Sequence, residues 1–254
     1  MLSPSKAVTK RIPLVEVFGP TVQGEGAMIG KQTYFLRFGL CDYKCKMCDS
    51  LHAVLPREVI KHSEWITQQE IYDRLMLLAH PLSTRWVTFS GGNPCIHDLT
   101  QLCSKLQQHG WQIAVETQGT FAPDWLHYAK VITVSPKGPG MGERFEGEKF
   151  FRFINKFQGH KGLNVKIVVF GKEDLEFASK VFQVARPIVP YKRMYLSQGN
   201  PFPPTVKEAP ENHIWVLTQE FQRLFDEIKD DEILSEVTFL PQLHVLIWGN
   251  ARGR

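Results

Sequence analysis

The chain has no apolar run approaching the roughly 20 residues that a membrane span needs. Its opening stretch, MLSPSKAVTKRIPLVEVFGP, contains no apolar core of signal-peptide length, so a cytoplasmic location is expected. There is no repeat of solenoid period and no low-complexity tract, which argues against repeat arrays and disordered linkers. Nineteen glycines and 16 prolines are near average usage and exclude a collagenous chain. Charge of one sign is also scarce. Thirty Lys and Arg against 26 Asp and Glu leave +4, too little to argue for nucleic acid without a clustered patch. Arg252 and Arg254 make a basic end too short to imply RNA binding. Cysteines number only five, an odd count that argues against a secreted disulfide framework. Three of them nevertheless fall within eight positions, and that crowding points to metal or redox chemistry.

What is present suits a single α/β domain spanning 1–254, since 43% hydrophobic content in 254 residues buries a large core without staples. Short β-rich runs alternate with helical patterns. Strands are expected at 33–38, 86–90, 112–116, 131–135, 165–170 and 194–197, each rich in β-branched or aromatic residues. Thr67 and Glu70 have the spacing of a capping box, and Ile71, Leu75 and Leu78 then share one helical face. Leu99, Leu102 and Leu106 define another helix, and Glu173 to about Phe182 a third. This alternation predicts right-handed βαβ units around a parallel sheet, with ligands at the strand C-terminal ends. The segments SGG, ETQG, SPKG and SQGN all fall at that edge. Residues 138–162, rich in Gly and Lys around FFRFINKF, read as an insertion, and the Phe-rich part reads as helix core rather than as a nucleotide platform.

The sharpest motif is Cys41-Asp42-Tyr43-Lys44-Cys45-Lys46-Met47-Cys48, a C-x3-C-x2-C loop after a predicted strand. Three thiolates on a short loop suit three corners of a cubane iron–sulfur cluster, leaving one iron open. Zinc is the competing reading, with Cys95, Cys103 or His62 as a fourth ligand, although no second Cys pair exists. By the usual behaviour of small soft side chains, Cys95 and Cys103 read as core residues. Ser90-Gly91-Gly92-Asn93-Pro94 follows the next strand, where glycines let backbone come close to a ligand.

Together these two motifs resemble the radical S-adenosylmethionine superfamily, and the resemblance implies a partial (β/α) TIM-like barrel. Asn93 departs from the Glu usual in the second motif. The likeness narrows further with Val15 to Gly26 (VEVFGPTVQGEG), Phe35-Leu36-Arg37, Cys48-Asp49-Ser50, Glu116-Thr117-Gln118-Gly119-Thr120, Ser135-Pro136-Lys137, Pro241-Gln242-Leu243-His244 and Trp248-Gly249-Asn250 with Arg252. In this order they resemble the 7-carboxy-7-deazaguanine synthases of the kind found in bacilli, from about residue 13 onward. Only 138–162 and 203–235 carry no motif of that set.

The resemblance implies a lyase that contracts the ring of 6-carboxy-5,6,7,8-tetrahydropterin and releases ammonia, on the route to queuosine and other 7-deazapurines. It implies a [4Fe–4S] cluster on Cys41, Cys45 and Cys48, and S-adenosylmethionine lined by Met47, Cys48, Asp49, Gly92, Ser135, Pro136, Lys137, Ser197, Gln198, Gly199 and Asn200. Val22, Gln23, Gly24, Arg37, Ser90 and His244 would bind the pterin, Arg37 through its carboxylate. Glu116, the catalytic candidate, would accept from the pterin nitrogens, and Ser50 would ligate Mg2+. Implied partners are the small pterin, an electron donor such as flavodoxin or ferredoxin, and a second copy in a homodimer, with no nucleic acid and no membrane. On the residues alone Arg37 also fits a surface strand, Glu116 a helix cap, and His244 an ordinary half-buried histidine. Another radical enzyme, or a zinc-stabilised RNA-binding module, remains the alternative.

Overall fold

The computed structural model describes residues 10–204 and 209–254. Residues 1–9, on which half of the leader reading rests, and 205–208 within the motif-free stretch lie outside it.

Among the described residues nine strands form one sheet: β1 (Ile12–Val22), β2 (Gln32–Phe38), β3 (Glu64–Ile66), β4 (Trp86–Gly91), β5 (Gln112–Thr117), β6 (Val131–Val134), β7 (Leu163–Val169), β8 (Met194–Gln198) and β9 (Thr238–Leu240). Their spatial order is β3-β1-β2-β4-β5-β6-β7-β8-β9. From β2 onward the neighbours in this row pair in parallel. The expected parallel sheet fails at one edge, where β1 runs antiparallel to both β2 and β3. The cause is connection length. The link 23–31 is too short for a crossover, so the chain must fold back on itself. The architecture is the expected α/β partial barrel, with β3 and β9 as its edges.

The α-helices of the described residues are α1 (Pro56–His62), α2 (Gln68–Leu78), α3 (Thr100–Gln108), α4 (Gly147–Lys156), α5 (Lys172–Ala185), α6 (His213–Ile228) and α7 (Leu243–Trp248). The capping box starts α2: Glu70 N donates to Thr67 Oγ1 at 3.2 Å and Thr67 N to Glu70 Oε2 at 2.6 Å. The stretch 138–162 is packed into the fold. It carries α4 and is the crossover from β6 to β7, and Phe150, Phe153, Ile154 and Phe157 sit in the main core.

Strand alternation decides which side chains meet that core. Tyr34, Leu36 and Phe38 of β2, Val87 and Phe89 of β4, Ile113 and Val115 of β5, and Leu163, Val165, Ile167 and Val169 of β7 pack there with the helices. The intervening residues face the other side. They include Arg37, Ser90, Glu116 and Lys166, all of which line one open pocket at the strand C-terminal ends.

Candidate active site

The segments that follow successive strands build the pocket wall. The loop after β2 brings Cys41, Cys45 and Cys48 to it, where they pack with Tyr43, Met47, Met141, Val168 and Phe170 in a small apolar cluster separate from the main core. Burial pushes all three thiols up, Cys45 to about 11 and Cys48 to about 12. Backbone and side-chain N–H groups address the sulfurs: Tyr43 N lies 3.5 Å and Gln118 Nε2 3.4 Å from Cys41 Sγ, and Ser50 N lies 3.4 Å from Cys48 Sγ. Such donors stabilise thiolate and set the potential of an iron–sulfur centre. The donor set therefore fits three corners of a four-iron cluster. Among the described residues no three His, Cys, Asp or Glu side chains converge as a single ion requires. The candidate fourth zinc ligands stand elsewhere: Cys95 and Cys103 lie in the main core, and His62 pairs with Glu58 at 3.2 Å on α1.

The Gly91-Gly92 turn after β4 lies hard against this loop. A Cβ on Gly92 would meet Leu40 O at 1.8 Å and Ala53 O at 2.8 Å, so only glycine allows the approach. Asn93 is fully buried beneath it. Its Nδ2 donates to Asp42 Oδ1 at 2.9 Å, and its Oδ1 accepts from Thr117 Oγ1 at 2.9 Å and Cys95 N at 3.1 Å. Asn93 thus braces the Cys loop from below, and the amide fits that role because it both donates and accepts.

On the facing wall stands a charged group that the sequence reading passed over. Lys166 of β7 is 6% exposed and is hydrogen-bonded to Glu25 Oε2, while Glu116 Oε1 is 4.0 Å from its Nζ. Gln23 Nε2 donates to Glu116 Oε1 at 3.1 Å, and Gln242 Nε2 donates to Glu25 Oε1. Gln242 Oε1 is buried and has no protein partner among the described residues, which leaves an acceptor for a ligand. Burial pushes Glu25 up, but Lys166 and His244 outweigh it and hold the carboxyl below its usual range. Burial pushes Glu116 up; Lys166 opposes and Glu25 adds, and the carboxyl stays above its usual range. Burial would lower Lys166, yet the two carboxylates raise it.

A second charged group closes the rim. Glu16 of β1 accepts from Arg37 Nε at 3.3 Å and from Arg252 Nη2 at 2.8 Å, with His52 Nε2 at 3.3 Å. Burial pushes Glu16 up, but the nearby His52, the charge of Arg37 and the hydrogen bond from Arg252 hold it at about 2. Arg37 Nη1 also donates to Ser50 Oγ at 2.9 Å, and Ser50 Oγ donates to Asp49 Oδ1 at 2.9 Å. The C-terminal segment is fastened over this rim, since Asn250 Nδ2 donates to Phe202 O at 2.7 Å and Asn200 Nδ2 to Asn250 Oδ1 at 3.0 Å.

Of the residues singled out in the sequence, Val22, Gln23, Gly24, Arg37, Met47, Asp49, Ser50, Ser90, Gly92, Glu116, Ser135, Lys137, Asn200 and His244 share this pocket with the three cysteines. His244 packs directly on Gly24, where a Cβ would meet its Nδ1 at 2.1 Å, and Leu243 N donates to Gly24 O at 3.0 Å. Pro136, Ser197, Gln198 and Gly199 are buried behind the lining instead. Gln198 Nε2 is spent on Leu217 O at 2.6 Å, while Ser197 Oγ is buried without a partner among the described residues. Glu25, Lys166, Gln118 and Gln242 were not assigned from sequence. For Glu25 and Gln242 the signal was their place inside the QGEG and PQLH segments; for Lys166 it was a lone cation inside VKIVVF.

No protein-family model matches the chain. A 7-carboxy-7-deazaguanine synthase of Bacillus cereus is 36% identical over 246 residues, covering 96% of this chain and 99% of that protein. The protein of the same name from Bacillus subtilis is 36% identical over 250 residues, covering 97% and 100%. Among solved structures, QueE from Escherichia coli superposes with a TM-score of 0.61 at 21% identity, covering 92% of this chain and 95% of that one. Streptococcus suis SuiB bound to S-adenosylmethionine gives 0.53 at 14% identity, covering 82% of this chain and 50% of its own. The two superpositions are likenesses of fold.

Proposed function

Because this chain belongs to the family of 7-carboxy-7-deazaguanine synthases, we propose that its pocket contracts 6-carboxy-5,6,7,8-tetrahydropterin to 7-carboxy-7-deazaguanine with release of ammonia, the lyase step toward queuosine and related 7-deazapurines. The observation that carries the reading is the pairing of opposites in one pocket: three clustered thiols on one wall and the Arg37 and Lys166 groups on the other.

Cys41, Cys45 and Cys48 would hold a [4Fe–4S] cluster. Met47, Asp49, Gly92, Ser135, Lys137 and Asn200 would line S-adenosylmethionine, with Pro136, Ser197, Gln198 and Gly199 shaping the wall behind. Bound there, these groups supply one-electron chemistry that removes a hydrogen atom from the substrate. The chain itself orients and encloses. Arg37 offers guanidinium N–H groups to the pterin carboxylate, a planar match that a lysine would not give. Gln23, Glu116, Gln242 and His244, with Ser90 and the Val22–Gly24 backbone, present donors and acceptors to the ring edge. The C-terminal segment excludes water that would quench a radical. Ser50 Oγ beside Asp49 provides oxygen ligands of the kind Mg2+ takes together with a substrate carboxylate. On this reading the partners are an electron donor such as flavodoxin or ferredoxin and a second copy in a homodimer, in the cytoplasm.

Anaerobic assay of reconstituted protein with carboxy-tetrahydropterin, S-adenosylmethionine and a strong reductant tests the proposal. A product with the deazapurine ultraviolet spectrum is expected. A colourless protein that carries one zinc and turns over no pterin would overturn it. For the metal, Ser50→Ala should abolish the Mg2+ dependence of the rate, and an unchanged dependence removes Ser50 from the site.

A further inference from the structure

We propose that Glu25, Lys166 and Glu116 work as one unit: Glu25 is the standing counter-ion of Lys166, Glu116 is therefore protonated in the resting enzyme, and Glu116 is the acid that hands its proton to the nitrogen expelled as ammonia. The proposal rests on the reading above and adds to it two positioning residues and a protonation state.

The geometry supplies the argument. One ammonium stands between two carboxylates in a site where Lys166 is 6% and Glu25 12% exposed. Two negative charges against one positive in a site largely closed to water leave an uncompensated charge, and a carboxylate relieves that by taking up a proton. The hydrogen bonds say which one. Both oxygens of Glu25 are engaged, Oε2 by Lys166 and Oε1 by Gln242. Glu116 receives Gln23 on Oε1 only, and no donor among the described residues reaches its Oε2. Glu116 also lines the pocket, with its side chain 24% exposed, so the proton it carries is presented to a ligand. The other charged groups facing it, Lys137 after β6 and Asp49 on the Cys loop, are of opposite sign and oppose each other. His244 on α7 faces Glu25 and reinforces its ionised form. The raised carboxyl of Glu116 agrees with this arrangement. Lys166 is excluded as the acid because its two carboxylate neighbours make it a weaker one.

The step balances. The C–N bond breaks with its electron pair leaving on the amino nitrogen, and the Glu116 proton moves to that nitrogen to complete ammonia. The C–H bond on the adjacent carbon supplies the pair for the new ring double bond, and its proton returns to the Glu116 carboxylate. Between these transfers the carboxylate is stabilised by the Lys166 ammonium 4.0 Å away. Nothing is oxidised or reduced in the elimination.

The test sets opposing substitutions against each other. In the reconstituted holoenzyme, kcat should fall as pH rises through the Glu116 ionisation. Glu25→Gln leaves Lys166 facing Glu116 alone, so the alkaline limb should move to lower pH by about one unit or more. Lys166→Gln removes the cation and should move the limb the other way. Glu116→Gln should lower kcat by roughly 100-fold or more with a KM changed only a few-fold. Infrared spectra of the holoenzyme without substrate read the proton directly: a protonated-carboxyl band, absent in Glu116→Gln, should titrate with the same limb, which keeps the question answerable if Lys166→Gln fails to fold. Limbs that stay in place in both variants, or a wild type lacking the band at neutral pH, overturn the proposal. Failure of the functional reading looks different, because no deazapurine or ammonia then forms at any pH.

Discussion

Cys45 and Cys103 are both buried thiols, and only their surroundings separate them. Cys45 shares an apolar cluster with two other cysteines at a pocket wall, whereas Cys103 is enclosed by aliphatic and aromatic side chains of the main core. Cys45→Ala should therefore strip the reconstituted protein of iron and brown colour while leaving its melting curve little changed. Cys103→Ala should keep its iron and lose about 1 kcal/mol of stability. Iron analysis and calorimetry on both variants check this, and equal iron loss would place Cys103 among the ligands. Arg37 makes the second residue-scale case. It is tied to Glu16 and Ser50 and faces Phe18, its guanidinium carbon 5.6 Å from the ring centre, so it is held in one orientation before substrate arrives. Loss of a charge-assisted pair costs about 1.5–3 kcal/mol. Arg37→Ala should then raise the KM for the pterin roughly 10- to 100-fold, with a smaller effect on kcat, read from steady-state kinetics.

Close packing between elements makes its own demand at the end of β4. Since a side chain on Gly92 would overlap the carbonyls of Leu40 and Ala53, Gly92→Ala has to push the Cys loop away from β4. A loss of at least about 3 kcal/mol is expected, together with failed cluster assembly. Gly171, which opens α5 with nothing within 4 Å of its Cβ position, should accept alanine for less than about 1 kcal/mol. Chemical denaturation of the two variants separates a packing constraint from a general intolerance at glycine. The same scale explains what was legible in advance. Runs such as TYFLRF and WVTFS announce strands because their β-branched and aromatic residues suit a pleated, covered surface, and the Thr67–Glu70 box announces a helix start by local hydrogen bonding alone. β1 was hidden by its prolines and glycine, and its antiparallel partnership depends on connection length rather than composition. Lys166 was hidden for a further reason. In β7 every residue is buried, so period-2 alternation between core and pocket gives no polar rhythm until the sheet shows which face is lined by Glu25 and Glu116.

For the molecule as a whole, the sheet order fixes where rigidity ends. β4 to β7 each have two hydrogen-bonded neighbours and helices on one face, whereas β3 and β9 are three-residue edges with one neighbour each. Backbone amides with a single ladder and partial exposure open by local fluctuation, while central ones exchange only when the domain unfolds. The pocket straddles this divide. Its thiol wall and Lys166 rest on central strands, but Gln242, His244, Trp248 and Asn250 follow edge strand β9 and reach the site through a few hydrogen bonds to Gly24, Phe202 and Glu16. Native-state hydrogen exchange of the reconstituted protein should show β4 to β7 protected to the global limit and 238–254 exchanging well before it. Adding S-adenosylmethionine and the pterin together should slow 241–254 selectively, because ligand contacts on both sides of the pocket bind the closed arrangement and not the open one, and linkage then converts affinity into protection. Uniform slowing across the sheet would instead mean that the tail is already part of the rigid core, and that ligands enter by a route other than the C-terminal edge.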